Sequence, residues 1–493
     1  MNEIAKLAAI VTSRGMANMP ILDLNDKRPT KEMKLIALVK NPELTQNQLV
    51  KSIYGKVTPS NTTAFYQLRS RVTAKLLNHL YFLDHSDPRH LVSRRHELNI
   101  LAILHQATVL MAEADHEFAE LRLRRCLHLA QQDEFPVYAV LAARQLCTLY
   151  VMLGKLPQFR VATKQLTHWQ QILSWEDEAE ALHNALQLAV GGTVAAQRRL
   201  LPKLQEYIAR LEQLHQEAKT FNTFFHLYRA RLYQQEMLGD FEEIIRITTS
   251  ANQQLEAGQL NARRFDKRFN LYMMAHGYLG SRQARKGMEL ARQHLSEFHQ
   301  SSTNWFAYQE NHFLLALHAE QFDYAQQVLK TVTTNAAYLK QRASAKQRWD
   351  LYREYLGMLL PTTAQTIRKP VAQWALALPD FSRDKRGYHV AVLIVQLLYF
   401  LQRQDLDEVT VRLERLRKYQ TLHLREEEAL RSRLFLQLLA ILGKWDFKPR
   451  VCAEKGAALL HKLQQAPVPG QAFAQMEIVP YESLWALVLR LLR

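Results

Sequence analysis

Leu238-Gly239-Asp240-Phe241-Glu242-Glu243 separates two long amphipathic segments, and the fold is decided by how this stretch is read. Glycine tolerates the left-handed conformation that closes a helix, so Gly239 marks a helix end. Asp240 and the two glutamates then open the next helix. Similar short breaks recur: EADHEF (113–118), LGKLPQF (153–159), VGGTVAA (190–196), YLGSRQA (278–284), AEQFDYA (319–325), LLPTTAQ (359–365), LQRQDLDEV (401–409) and LGKWDF (442–447). With Asp115, Gly154, Gly192, Asp240, Gly280, Gln321, Pro361, Asp405 and Gly443 as markers, the intervals are 39, 38, 48, 40, 41, 40, 44 and 38 residues. Between the breaks, apolar residues return at three- and four-residue spacing, as in LAILHQATVLMAEA (101–114). A repeated helix–turn–helix unit is the signature of a helical array, in which each unit buries its apolar face on the next.

The breaks resemble those of the tetratricopeptide repeat (TPR). Gly239 sits at the helix end, Phe241 is placed to plug a groove between helices, and Phe322 with Ala325 repeats the arrangement, with Phe118 and Phe159 in similar positions. The period near 40 exceeds the TPR's 34 and is closer to HEAT-type repeats. Ile244 stands where a small residue is expected. The resemblance covers roughly residues 95–465. It implies an all-α fold, a right-handed α-α solenoid of about nine TPR-like hairpins, with the first helix of each hairpin lining a concave face.

The two ends read differently. Residues 1–30 look irregular. Residues 31–90 form a helical module of three segments, with Thr45 as N-cap and Gly55 as stop of the second, and Ser60 or Asn61 capping the third. Phe65, Leu68, Val72, Leu76 and Leu80 form its apolar stripe. The module is either a cap for the repeats or similar to a helix-turn-helix, whose third segment carries Gln67, Arg69, Arg71 and Lys75. Arg and Gln can reach base edges, and neighbouring cations can grip phosphates. The repeats occupy 91–466. Residues 467–493 hold Pro467, Pro469 and Gly470, then a capping helix with Trp485, Leu489 and Leu492 on one face.

Composition narrows the class. The chain has 493 residues, 48% hydrophobic and 23% charged, which excludes wholesale disorder; only 15 glycines and 15 prolines argue against many short strands. Cys126, Cys147 and Cys452 are too few and scattered for a disulfide framework or zinc site. The longest charge-free apolar stretch, between Arg386 and Arg403, is short of a membrane span and reads as a buried helix. A soluble cytoplasmic protein without membrane contact is expected. The net charge of +17 suggests an acidic partner, nucleic acid or a membrane surface.

No phosphate-binding glycine loop, HExxH, GxSxG or CxxC is present, so no enzyme, metal or cofactor is expected. His79, His85, His90 and His96 lack metal-ligand spacing. The run Glu176-Asp177-Glu178-Ala179-Glu180 reads as the first turn of a helix, complementing its dipole. Basic residues recur before the breaks: Arg94 and Arg95; Arg263, Arg264, Lys267 and Arg268; Lys340, Arg342, Lys346 and Arg348; Arg383, Lys385 and Arg386. Glu134 and the 176–180 run occupy the same phase earlier. One edge should therefore be acidic near the second and third repeats and basic beyond. Tyr228, Tyr272, Tyr308 and Tyr352 lie on aromatic-rich first helices and are candidates for the concave face. Together these features predict a scaffold or adaptor that binds an acidic protein or peptide with apolar anchors. The alternative is a nucleic-acid-binding regulator that reads through Gln67, Arg69, Arg71 and Lys75. Oligomeric state is left open.

Overall fold

The computed structural model describes residues 2–14, 21–22, 30–41, 43–85, 87, 91–191, 194–360, 386–423, 430–470 and 477–492. Among them every regular element is helical. Two compact units divide the chain: Met1–His90 with Ala102–Arg122, and Leu91–Leu101 with Leu123–Arg493. The division falls within α5 (Val92–Ala112) and α6 (His116–Gln132).

In the first unit, α1 (Asn2–Arg14) corrects the expectation of an irregular 1–30 segment. It carries three alanines, the best helix former, and its Ile10 packs against the cluster of Leu110, Phe118 and Ala119 while Lys6 meets Glu117 at 3.2 Å. Then come α2 (Lys31–Leu38), α3 (Gln46–Tyr54) and α4 (Pro59–His79). Thr45 forms a capping box with Gln48, and Gly55 stops α3 at φ +83°. The third helix starts earlier than expected. Thr58 caps it by accepting from the Asn61 amide, and Pro59 takes the first helical position, where a missing N–H costs nothing. Leu35, Val50, Phe65, Leu68 and Val72 form the core. The apolar stripe of α4 is buried only that far: Leu76 and Leu80 are 42% and 52% exposed.

In the second unit, helices follow as α7 (Pro136–Met152), α8 (Leu156–Val190), α9 (Val194–Ala218), α10 (Phe221–Leu238), α11 (Phe241–Glu256), α12 (Lys267–Gly280), α13 (Ala284–Gln293), α14 (Thr303–His318), α15 (Phe322–Thr333), α16 (Ala343–Leu359), α17 (Arg386–Gln402), α18 (Leu406–His423), α19 (Leu430–Lys444), α20 (Pro449–Gln465) and α21 (Tyr481–Leu491). Val390 to Leu398 of α17 are all buried, and among the described residues no helix is long and apolar enough to cross a membrane. Markers Gly192 and Pro361, with Arg383 and Lys385, lie outside the described residues; of Arg386 only the backbone is described.

One expectation about a helix boundary is corrected. The acidic run 176–180 opens no helix, because α8 runs unbroken for 35 residues through it. Nothing between Leu156 and Val190 breaks a helix after the Pro157 of its first turn. Unlike Gly239, the marker glycines Gly280 and Gly443 do not take the left-handed conformation at their turns. Arg282 (φ 60°) and the pair Asp446 (φ 51°) and Phe447 (φ 55°) do that instead. Gly280 serves packing. A Cβ there would lie 2.3 Å from the Phe241 ring, so Phe241 seats on the next hairpin's first helix. The bulk of Ile244 is absorbed likewise by Gly277 of α12, where a Cβ would sit 3.2 Å from it.

Gly239 does end α10, at φ +81°, and a Cβ on it would meet the Gly470 amide nitrogen at 2.8 Å. Gly239→Val should cost about 1–3 kcal/mol from backbone strain alone. An unchanged melting temperature would contradict it.

Gly470 belongs to a C-terminal segment that does more than cap the last hairpin. It passes the turns of four hairpins: at Gly239; at Arg282, which donates to the Gln464 and Ala466 carbonyls (3.3 Å each); at His318 and Glu320, which meet the Glu477 carbonyl (2.8 Å) and Ser483 (2.9 Å); and at Gln404, which donates to the Leu491 carbonyl (2.7 Å).

Candidate functional site

Two of the basic residues nominated before α12, Arg263 and Arg264, pack against the segment around Glu134 rather than facing solvent with it. Arg263 pairs with Asp133 at 2.5 Å. Arg264 donates to the Glu134 carbonyl, to the Asp133 carbonyl at 3.2 Å and to Asn222 Oδ1 at 2.6 Å. Its guanidinium lies 4.0 Å from the Phe135 ring centre and 5.2 Å from that of Phe221. Burial lowers the Arg264 pKa, while Glu176, Glu134, Glu97 and Asp133 oppose the shift. Asn261 holds the Glu134 carboxylate at 3.0 Å, and Asn222 holds Glu176 at 2.6 Å. Glu176 is 5% exposed, and burial raises its pKa. The expected solvated binding edge is here an internal charge network. Burying a charge is costly unless it is paired, and this packing supplies the pairs.

The other nominated residues are mostly committed as well. Lys267 faces Glu297 at 3.5 Å, and Arg268, 8% exposed, grips Asp266 through two 2.9 Å bonds. Arg348 clamps Glu310 at 2.8 and 3.0 Å, and the Tyr352 hydroxyl donates to the same carboxylate at 2.7 Å. Lys346 donates to the Leu339 carbonyl at 2.7 Å. Tyr228, Tyr308 and Tyr352 are 4%, 0% and 0% exposed, so they line no open groove. Tyr228 donates to Asn270 at 2.6 Å, and Tyr308 stacks on Phe298 with ring centres 4.1 Å apart. Tyr272 is half-buried, and Lys340 and Arg342 are exposed.

Among the described residues, two of the exposed surfaces combine features that bear on binding. On α4, Gln67, Arg69 and Arg71 are exposed, whereas Lys75 is held by Glu32 at 2.8 Å. The second surface is the α7–α8 turn, which the sequence reading passed over. Val151, Met152, Leu156 and Val161 are 65%, 59%, 55% and 59% exposed. Residues 135–175 contain no Asp or Glu, and Arg144, Arg160 and Lys164 are exposed around the apolar side chains. The signal was present in the sequence as a 41-residue stretch without an acid.

A pocket of about 380 Å³ opens near the C-terminal segment, lined by Arg282, Arg285, Lys286, His318 and Glu320 among others. Arg282 already faces Glu482 at 3.4 Å, and His318 holds a carbonyl. Among the described residues, no group of three His, Cys, Asp or Glu side chains could hold a metal ion. The three cysteines are unpaired, and Cys126 and Cys452 are buried. Burial pushes the Cys126 thiol up to about 12, far from a reactive thiolate. No protein-family model and no curated protein matches the chain.

Proposed function

We propose that this chain is a non-enzymatic interaction protein of the cytoplasm, a right-handed α-α solenoid of TPR-like hairpins that binds an acidic protein segment with apolar anchors. The solenoid reading is supported by the run of consecutive hairpins and by packing between helices of successive hairpins, α8 on α10, α11 on α12 and α12 on α14. The observation that carries the binding reading is the α7–α8 turn. Four large apolar side chains stand more than half exposed within the eleven residues 151–161, with exposed cations nearby in the chain and no local acid. Clustered exposed apolar surface marks an interaction site, while scattered apolar residues do not. Apolar anchors on the partner would bury these side chains. Its carboxylates would meet Arg144, Arg160 and Lys164, speeding encounter and fixing orientation.

Val151→Asp with Leu156→Asp should reduce partner capture at least tenfold while leaving the melting temperature nearly unchanged, since both side chains are in water. A photo-crosslinker at Met152 should capture a protein that one at Leu188, itself 80% exposed, does not, and added salt should weaken that capture. Equal capture at both positions, or a crosslink only to a second copy of the chain, would overturn the reading.

A further inference from the structure

We infer that the α2–α4 module is a second, separate binding site, and that its ligand is double-stranded DNA read by α4. This goes beyond the protein-partner reading and uses different residues. The module belongs to the first compact unit and has a core of its own, so α4 is held in place without help from its outward face. Phe65, Leu68 and Val72 face inward. The opposite face carries Thr63, Gln67, Ser70, Arg71 and Ala74, all of them exposed or half-exposed. Two long side chains able to reach base edges thus rise from a strip of small ones, so the helix backbone can approach a groove closely. Arg69 is exposed on the other flank of the helix, where it can reach a phosphate; its guanidinium is 5.3 Å from the centre of the Tyr66 ring, which limits its freedom before any ligand arrives.

Charge points the same way. Residues 44–83 contain no Asp or Glu. Of the five cations there, Lys75 is neutralised by Glu32, while Lys51, Lys56, Arg69 and Arg71 are exposed. Lys51 on α3 and Lys56 in the turn flank the start of α4, where phosphates would lie if α4 entered a groove. An α-helix fits the major groove of B-form DNA, where Arg and Gln distinguish base pairs. The major groove of A-form RNA is too deep and narrow for it. That geometry favours duplex DNA over duplex RNA.

The test uses the full chain and a fluorescent random-sequence 30-base-pair duplex, with anisotropy read from 50 to 300 mM salt. Binding should weaken steeply with salt. Arg69→Glu with Arg71→Glu should lower affinity at least tenfold at 50 mM salt and flatten the salt slope by about two. The milder Arg71→Gln should lower it severalfold with an unchanged circular-dichroism melt. Arg160→Glu with Lys164→Glu, at the α7–α8 turn, should leave DNA affinity unchanged while impairing protein capture, so the two sites fail independently. No duplex binding at 50 mM salt would overturn the proposal. So would equal affinity for duplex RNA or single strands, or equal loss from the α8 pair.

Discussion

Arg431→Ala should destabilise the second compact unit by about 3–5 kcal/mol, the cost of leaving buried charges without their partner. Arg431 is 2% exposed on α19. Its guanidinium pairs with Glu477 at 2.5 and 2.8 Å and with Glu482 at 3.0 Å, and donates to the Leu463 and Ala466 carbonyls at 2.6 and 3.2 Å. Those partners sit at the end of α20 and on the C-terminal segment, so one side chain ties that segment to the last hairpin. Beside it, Tyr481 stacks on Phe435 with ring centres 4.5 Å apart and shares a 2.9 Å hydrogen bond with Ser432. Removing Arg431 leaves Glu477 and Glu482 facing each other in a poorly hydrated site.

A further substitution separates charge from packing. Arg431→Met with Glu477→Gln and Glu482→Gln removes the stranded charges and should recover a good part of the loss, since neutral replacements of buried ion clusters are often tolerated. Urea unfolding followed by far-ultraviolet circular dichroism measures both variants. Wild-type stability in Arg431→Ala would mean that the C-terminal segment is not anchored through this residue.

How much of this was legible in the sequence depended on what a residue does. Periodicity reveals which residues face inward along one helix, so the helical class and most of the hairpin turns could be read. Turn chemistry was less visible. Ala114, Glu134, Lys219, Arg282, Glu320 and Gln404 adopt positive φ without being glycine, and no local pattern announces that. Gly277 and Gly280 were visible, but their purpose lies across the packing interface, in room for Ile244 and Phe241. The charged residues were found in the right phase and read as solvated. Whether Arg263 meets water or Asp133, 130 residues away, is a property of tertiary packing that helix phase does not encode. The two open surfaces left a trace only as long stretches without acid. Such a trace is negative evidence until burial shows which cations remain in solvent.

Buried imidazoles should remove several kcal/mol of stability on acidification from pH 7.5 to 5, partly offset by Glu354, whose carboxyl burial raises to about 7 and which therefore favours the folded state as the pH falls. His312 is 1% exposed, with one ring nitrogen 3.2 Å from Gln309 and the other without a hydrogen-bond partner; burial first, and then the Arg292 charge, hold its pKa down to about 4. His183 and His226 lie with ring centres 4.8 Å apart. Burial holds each of them to about 4 as well, aided by Arg229 and, for His226, by the His183 charge. In the unfolded chain each histidine titrates near 6.5. Between those values the unfolded state binds more protons than the folded one, so stability is full above about pH 6.5 and falls as the pH drops toward 4. A depression from 6.5 to about 4 corresponds to about 3 kcal/mol for His312, of which about 2 is gone by pH 5. The His183–His226 pair adds to it. His312→Leu should shrink the difference in urea-unfolding free energy between pH 7.5 and 5 by about 2 kcal/mol, because leucine has no proton to take up. If His312→Leu leaves that difference unchanged, the His312 ring is accessible to water in the folded protein and the packing around it is wrong.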